Sequence, residues 1–163
     1  MSRAGYNKSK SVSIQIVTFR IGSEYFGMSV GDVREIIRGV EMFDVPGSGD
    51  DIKGVINLRG EIIPIIRMDR ILGIKSKTEG VAQKTRMIIV DSRKGRFGFE
   101  VDEVSDVVRV ATESVQAPPQ LSQDNPLAGV VIGLVQLSGK MILCLDAEKA
   151  FSQEVYQKEV SKI

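Results

Sequence analysis

The sequence predicts an all-β fold that contains two similar small subdomains and ends in a short helix. Three observations predict it: the chain carries an internal duplication, its apolar runs are short and rich in β-branched residues, and a helix signal occurs only near the C-terminal end. A chain of 163 residues with 42% hydrophobic and 26% charged side chains can bury one core or two small ones.

The duplication is visible in two pairs of segments. Residues 25–38 (YFGMSVGDVREIIR) align with residues 96–109 (RFGFEVDEVSDVVR), at an offset of 71 residues. Residues 54–72 align with residues 133–151 at an offset of 79. The difference of eight residues is a net insertion in the second copy, and the Pro-rich stretch 117–126 is its expected place. Two short repeats predict two similar subdomains rather than a solenoid, which would need more copies.

Each copy is expected to form a five-stranded barrel. The first copy covers about residues 12–72 and the second about residues 84–151, and in both the apolar runs end at Gly, Asp, Asn or Ser. Short strands in a small domain are typical of a barrel, because closure removes exposed sheet edges. The predicted strands lie near 12–21, 24–30, 35–40, 54–59 and 61–67, and near 84–91, 96–101, 106–112, 130–138 and 140–145.

Turns and ends follow from local residue chemistry. Residues 58–61 and 137–140 each contain a Gly between two apolar runs, which predicts hairpin turns with positive φ. Pro64 cannot donate to a ladder, so its strand is expected at an edge or a bulge. Asp146 is placed to cap a helix over residues 147–151. We expect an exposed connector at 73–83.

The whole domain is expected to span residues 14–151. The two ends, residues 1–11 and 152–163, are expected to be flexible or frayed tails. Residues 1–11 contain no apolar signal-peptide core, and the chain has no 18-residue apolar span, so we expect a cytoplasmic protein.

Composition argues against several classes of function. The chain has no His, which removes the commonest general base and the commonest metal ligand, and we predict no catalytic residue, no metal site and no cofactor. A net charge of +1 gives no field for broad binding to nucleic acid or anionic membrane. The single cysteine, Cys144, lies in an apolar run and is expected to be a buried side chain rather than a reactive thiol.

Three segments together resemble the CheW-like coupling proteins of bacterial chemotaxis: FRIGSEYFGMSVGDVREII, IKGVINLRGEIIPII and VDEVSDVVRV, in the family's order. The likeness runs from about residue 14 to 151. It implies two five-stranded SH3-like barrel subdomains packed together, without catalysis. It leaves open whether strands near the chain ends cross from one barrel to the other.

The resemblance also implies a function. Coupling proteins of this family bridge the regulatory domain of the chemotaxis histidine kinase and the cytoplasmic tip of the methyl-accepting chemoreceptors, without inserting into the membrane. Carried over by position, the receptor-contacting residues are Val33, Gly54 and Arg59, with Glu35 and Asn57 as neighbours. Kinase-facing residues are not identified by the sequence.

Residue chemistry makes Arg59 the strongest of these candidates. Ser138 takes the matching place in the second copy, so the turn itself does not demand a guanidinium. An exposed Arg at a rigid turn can bond a partner carboxylate or carbonyl, although a merely solvated turn residue is the alternative. Val33 recurs as Val104 and is either a contact residue or a core residue of both barrels.

The sequence also departs from the family pattern. Arg67 stands where the family commonly has an aspartate, and residues 46–51 (PGSGDD) lack the usual apolar residue. Two rival functions stay open at this point. One is a coupling protein of another sensory array, such as one that steers twitching motility. The other is a small-barrel ligand or nucleic-acid binder, because a fold alone does not fix function.

Overall fold

The computed structural model describes residues 12–75 and 85–150. The predicted tails, most of the predicted connector and residue 151 of the predicted helix lie outside these ranges. The described strands are β1 Ser13–Ile21, β2 Glu24–Ser29, β3 Val33–Ile37, β4 Met42–Phe43, β5 Ile52–Leu58, β6 Glu61–Ile66, β7 Arg86–Ser92, β8 Gly95–Val101, β9 Glu103–Ala111, β10 Val131–Leu137 and β11 Lys140–Leu145. The described α-helices are α1 Met68–Leu72 and α2 Ala147–Ala150.

The strands form two sheets, and each sheet takes strands from both copies of the repeat. Sheet 1 has the order β10-β11-β2-β1-β9, and sheet 2 has the order β3-β7-β8-β6-β5-β4. The hairpin β1–β2 of the first copy therefore belongs with strands of the second copy. Reciprocally, the hairpin β7–β8 of the second copy lies among strands of the first copy in sheet 2. The all-β prediction with two subdomains is confirmed. The expectation that residues 12–72 form one barrel and residues 84–151 the other is wrong, because the copies exchange hairpins between the sheets.

The exchange obeys the symmetry of the repeat. Val33 in β3 pairs with Val90 in β7, and Val104 in β9 pairs with Phe19 in β1. Val33 and Val104 are 71 positions apart, and so are Phe19 and Val90, so the two pairs are equivalent. Each exchanged hairpin also joins its sheet through one parallel pairing, β8 with β6 and β2 with β11. The two sheets are therefore two versions of one architecture.

Each sheet turns back on itself through the segment that follows its outer strand. β4 comes directly after β3 in the chain but pairs with β5 at the opposite end of the sheet 2 order. In sheet 1 the segment after β9 does the same, because Gln116 forms a bridge with Leu134 in β10. A chain that passes in this way from one end strand of a sheet to the other is typical of a small barrel.

The largest buried cluster joins the two sheets. It includes Phe19 and Phe26 from sheet 1 and Phe97 and Phe99 from sheet 2, none of which is exposed to solvent. The ring centroids of Phe19 and Phe99 are 5.6 Å apart, so aromatic contact crosses between the sheets. Each sheet also encloses a smaller apolar cluster of its own.

Several local predictions can be compared with the structure. Asp146 caps α2, since its Oδ1 accepts from the backbone N–H of Glu148 at 2.8 Å. Cys144 is buried, and burial raises the pKa of its thiol. Pro64 was expected in a strand at an edge or a bulge, and β6 has neighbours on both sides in the sheet 2 order. Its parallel pairing with β8 begins only at Ile65, which leaves Pro64 in the part of the strand that pairs with β5 alone.

None of the helices within the described ranges is long and apolar enough to cross a membrane.

Candidate functional site

The turn between β5 and β6 holds Arg59 in an unusual backbone conformation. Arg59 has φ 52° and the following Gly60 has φ 89°, which is the left-handed pattern of a tight two-residue hairpin turn. Asn57 stabilises this turn, because its Oδ1 accepts from the backbone N–H of Gly60 at 2.9 Å. Across the described residues, the positive-φ residues other than glycine are Arg59 and Ser138. The two predicted turns are therefore held in the same conformation.

Arg59 is paired with Glu35. Its Nη2 donates to Oε1 of Glu35, and the side chain of Arg59 is 67% exposed while that of Glu35 is 26% exposed. Glu35 lies on β3 and Arg59 follows β5, near the two ends of the sheet 2 order. The ion pair therefore links the two ends of the sheet 2 order. It also gives the exposed guanidinium a preferred direction at a rigid turn.

Gly54 lies further along β5, roughly 17 Å from Arg59 at the usual rise of a strand. A Cβ at this position would lie 2.7 Å from the backbone O of Phe43 and 2.8 Å from Cγ of Met42. Any side chain here would displace β4. The structure therefore gives Gly54 a packing role, and it lies apart from the group formed by Arg59, Glu35 and Asn57.

Val33 begins β3, two residues before Glu35. It is half-buried and packs against the large cluster shared by the sheets, and Val104 does the same in the second copy. Of the two interpretations of Val33, the structure supports the core residue. Its contact with a receptor stays a prediction, as do those of Arg59, Glu35, Asn57 and Gly54.

A network of charged residues beside this turn was not identified from the sequence. Arg96 on β8 bonds Glu61, the residue that follows the turn, and its Nε donates to Oδ1 of Asp91 at 2.6 Å. Arg34 on β3 also donates to Asp91, at 3.4 Å. The hydrogen bond from Arg96 is the main reason that the pKa of Asp91 lies below its usual range. Asp91 and Arg96 face each other within the β7–β8 hairpin of the second copy. Arg34 and Glu61 belong to the first copy, so alternation along single strands could not reveal their bonds to this pair.

Exposed apolar side chains share the outer face of this hairpin. Ile62 is 59% exposed and pairs with Asn57 across the hairpin, and Phe43 on β4 is 49% exposed and pairs with Val55. Residues opposite each other in a ladder, and those two positions apart on one strand, present their side chains on the same face. Phe43, Asn57 and Ile62 therefore form one outward surface near the Arg59 turn.

The corresponding turn of sheet 1 has different chemistry. Ser138 has φ 50° and stands in the place of Arg59, and Asp106 on β9 stands in the place of Glu35. Beside the turn, Nζ of Lys140 lies 4.4 Å from the centroid of the Tyr25 ring. The counterparts of Lys140 and Tyr25 in sheet 2 are Glu61 and Arg96. A cation–π contact thus occupies the place of an ion pair.

Groups of three or more side chains suited to hold a metal ion do not occur within residues 12–75 and 85–150.

Comparison with known proteins places this geometry in a family. The family model of the CheW-like domain matches residues 15–155. A chemotaxis protein CheW of Treponema pallidum is 29% identical over 150 residues, which cover 88% of this chain and 85% of that protein. A probable chemotaxis protein CheW of Rhizobium etli is 32% identical over 139 residues, covering 85% and 88%. The crystal structure of the scaffolding protein TtCheW from Thermoanaerobacter tengcongensis matches with a TM-score of 0.77 and 29% identity, covering 88% of this chain and 96% of that one.

Proposed function

The chain belongs to the CheW-like domain family, and on that premise we propose that it is a non-catalytic adaptor of a chemosensory array. In this role it binds the regulatory domain of a chemotaxis histidine kinase on one surface and the cytoplasmic tip of a chemoreceptor on another, so that kinase output follows receptor state. The role places the chain in the cytoplasm. Relatives that are named as chemotaxis and scaffolding proteins support this proposal.

The observation that carries the receptor contact is the pair between Arg59 and Glu35. Arg59 is exposed, yet its backbone is fixed by the tight turn and its guanidinium is directed by Glu35. A guanidinium has five N–H donors, so one that bonds Glu35 retains donors for a partner. Holding the side chain in place before binding lowers the entropy that binding costs. We therefore assign to Arg59 the central role in receptor recognition.

The outward surface formed by Phe43, Asn57 and Ile62 supports the same assignment. Its two apolar side chains are about half exposed, and their burial against a receptor helix would add to the bonds of Arg59. A charged anchor beside apolar area is a common composition for a binding hot spot and its surroundings.

Calorimetric titration tests the proposal with two partners. The purified chain is titrated with a receptor-tip fragment and, separately, with the regulatory domain of the kinase. We expect saturable binding in both titrations. Arg59→Ala is expected to weaken receptor binding by roughly 2 kcal/mol or more and to leave kinase binding unchanged.

Arg70→Ala is the matched control. Arg70 is also a largely exposed Arg in ion pairs, with Asp50 and Asp51, but it lies on α1. We expect this variant to bind both partners like the wild type. Absence of binding to either partner by the wild-type chain would contradict the proposed function while leaving the fold intact.

A further inference from the structure

The turn of sheet 1 that corresponds to the Arg59 turn borders a cavity of about 110 Å³. The residues that line it include Thr18, Tyr25, Asp106, Leu137, Ser138 and Lys140. At the volume that a water molecule occupies in the liquid, this cavity holds roughly four waters. It is thus large enough for the end of one side chain.

The position of the cavity follows from the repeat. Arg59 and Ser138 have nearly equal φ angles, 52° and 50°, and each is followed by a glycine with positive φ. Their turns join strands that are paired in the same register, with Leu58 opposite Glu61 and Leu137 opposite Lys140. In sheet 2 a long side chain runs from this position to the carboxylate on the outer strand. In sheet 1 the same position carries only a hydroxymethyl group.

Asp106, which carries the acceptor of the missing contact, is held in place through its backbone. Thr18 Oγ1 donates to the backbone O of Asp106 at 3.0 Å, and the backbone N–H of Asp106 donates to the same Oγ1 at 3.1 Å. Asp106 is exposed, and none of the ion pairs found within the described residues includes it. Asp106, with its backbone fixed by Thr18, therefore lines a cavity in which the first copy's equivalent arginine has no counterpart.

Lys140 lines the same cavity and opposes the entry of a cation. Its ammonium group lies over the Tyr25 ring at 4.4 Å, which is a favourable position for it. Glu61 stands in the corresponding place of sheet 2, beside Arg59. Lys140 therefore sets the affinity of the cavity for cations without removing its carboxylate, and weak binding is expected.

We propose that this cavity binds an arginine side chain of a protein partner, whose guanidinium pairs with Asp106. The contact between this arginine and Asp106 would be the intermolecular equivalent of the contact that Arg59 makes with Glu35 within the chain. Arginine rather than lysine is the occupant because the counterpart contact is made by a guanidinium, whose planar fork matches a carboxylate. The site is additional to the receptor contact at Arg59 and does not depend on it.

NMR titration of the full chain with N-acetyl-arginine methylamide tests the site, with the citrulline analogue as the uncharged probe. The amide resonances of Ser138 and Gly139 report on occupancy. We expect saturable shifts at millimolar concentrations with the arginine probe and none with the citrulline probe. Asp106→Asn is expected to weaken binding by up to about fivefold, as for loss of an exposed charge pair.

Two further variants separate binding from folding. Ser138→Arg places the guanidinium on the chain itself and is expected to abolish the shifts without loss of thermal stability, because the turn already accepts an Arg in its other copy. Lys140→Glu is expected to strengthen binding severalfold. Asp124→Asn, the same change at an exposed acid elsewhere, is the control and should bind like the wild type.

Four results would overturn the assignment: no shift at tens of millimolar arginine probe, equal shifts with the citrulline probe, unchanged binding by Asp106→Asn, or retained binding by a folded Ser138→Arg. None of them bears on the receptor contact, because the titration uses neither the receptor nor the kinase.

Discussion

The hairpin turns at Arg59 and Ser138 share one backbone conformation and differ in chemistry. The turn of sheet 2 carries Arg59 bonded to Glu35, whereas the turn of sheet 1 carries Ser138 and leaves Asp106 beside a cavity. Because the fold accepts either residue at the same φ angle, folding does not account for the guanidinium. Comparison of equivalent positions in the two copies therefore distinguishes side chains that the fold requires from side chains that are available to bind a partner.

The largest effect on stability is expected from a substitution in the core that both copies share. Phe19→Ala removes a fully buried ring that contacts Phe26 and Phe99, and we expect a loss of about 3–5 kcal/mol in the free energy of unfolding. Denaturant titration followed by amide resonances in both sheets is the measurement. A single coincident transition is expected, and separate transitions for sheets 1 and 2 would show that the cluster does not couple them.

The next effect compares two glycines that occupy equivalent positions. A Cβ at Gly54 would meet the backbone O of Phe43 at 2.7 Å, whereas a Cβ at Gly133 would meet Cγ1 of Val115 at 2.5 Å. A side chain can rotate away and a backbone carbonyl cannot. We therefore expect Gly54→Ala to cost about 2 kcal/mol and Gly133→Ala about 1 kcal/mol or less, measured by denaturant unfolding. Equal losses of stability in the two variants would contradict the difference expected between a backbone and a side-chain contact.

A smaller effect on stability is expected from the ion pair itself. Arg59→Ser converts one turn to the sequence of the other, and an exposed pair contributes only about 0–1 kcal/mol. Thermal unfolding is the measurement, and the loss is expected to be well below the loss in receptor affinity. A loss of several kcal/mol in stability would mean that Arg59 serves the closure of sheet 2 rather than a partner.

The smallest effect on stability is expected from two acidic residues whose pKa values are shifted in opposite directions. Burial, with repulsion from Asp146 and Glu148, raises the pKa of Asp32, whereas the hydrogen bond from Arg96 lowers that of Asp91. Between the ordinary and the raised pKa, the folded chain holds a proton at Asp32 that the unfolded chain has lost, so the contribution of Asp32 to stability falls as pH rises. The contribution of Asp91 is instead lost as pH falls through its lowered pKa.

We expect Asp32→Asn to raise the melting temperature slightly at pH 7, where the wild-type carboxylate is ionised, and to have less effect near pH 3, where both states are protonated. Melting curves at the two pH values check this. A lower melting temperature at pH 7 would contradict the direction given for Asp32.

Local residue chemistry predicted the turns, the Asp146 cap and most of the strands, because each depends on a few neighbouring residues. It missed β4, whose two residues carry no periodicity, and it began β3 two residues late. The exchange of hairpins could not be deduced from the repeat, because a strand of one copy can pair with the similar strands of either copy.

The candidate site came from the family resemblance, which named Val33, Gly54 and Arg59 with Glu35 and Asn57 as neighbours. The structure brings Arg59, Glu35 and Asn57 together. The bond of Arg34 to Asp91, the bond of Arg96 to Glu61 and the cavity beside Ser138 depend on contacts between strands that are distant in the sequence. Only the folded chain brings those strands together.

One measurement tests the central claim most directly: calorimetric titration of a receptor-tip fragment into the wild-type chain, Arg59→Ala and the exchanged variant Arg59→Ser with Ser138→Arg. The exchanged variant keeps the same number of charges and moves the guanidinium to the other turn. We predict that it loses receptor affinity as much as Arg59→Ala does, roughly 2 kcal/mol or more. Retained affinity in either variant would contradict the account that receptor recognition depends on a guanidinium held at the sheet 2 turn.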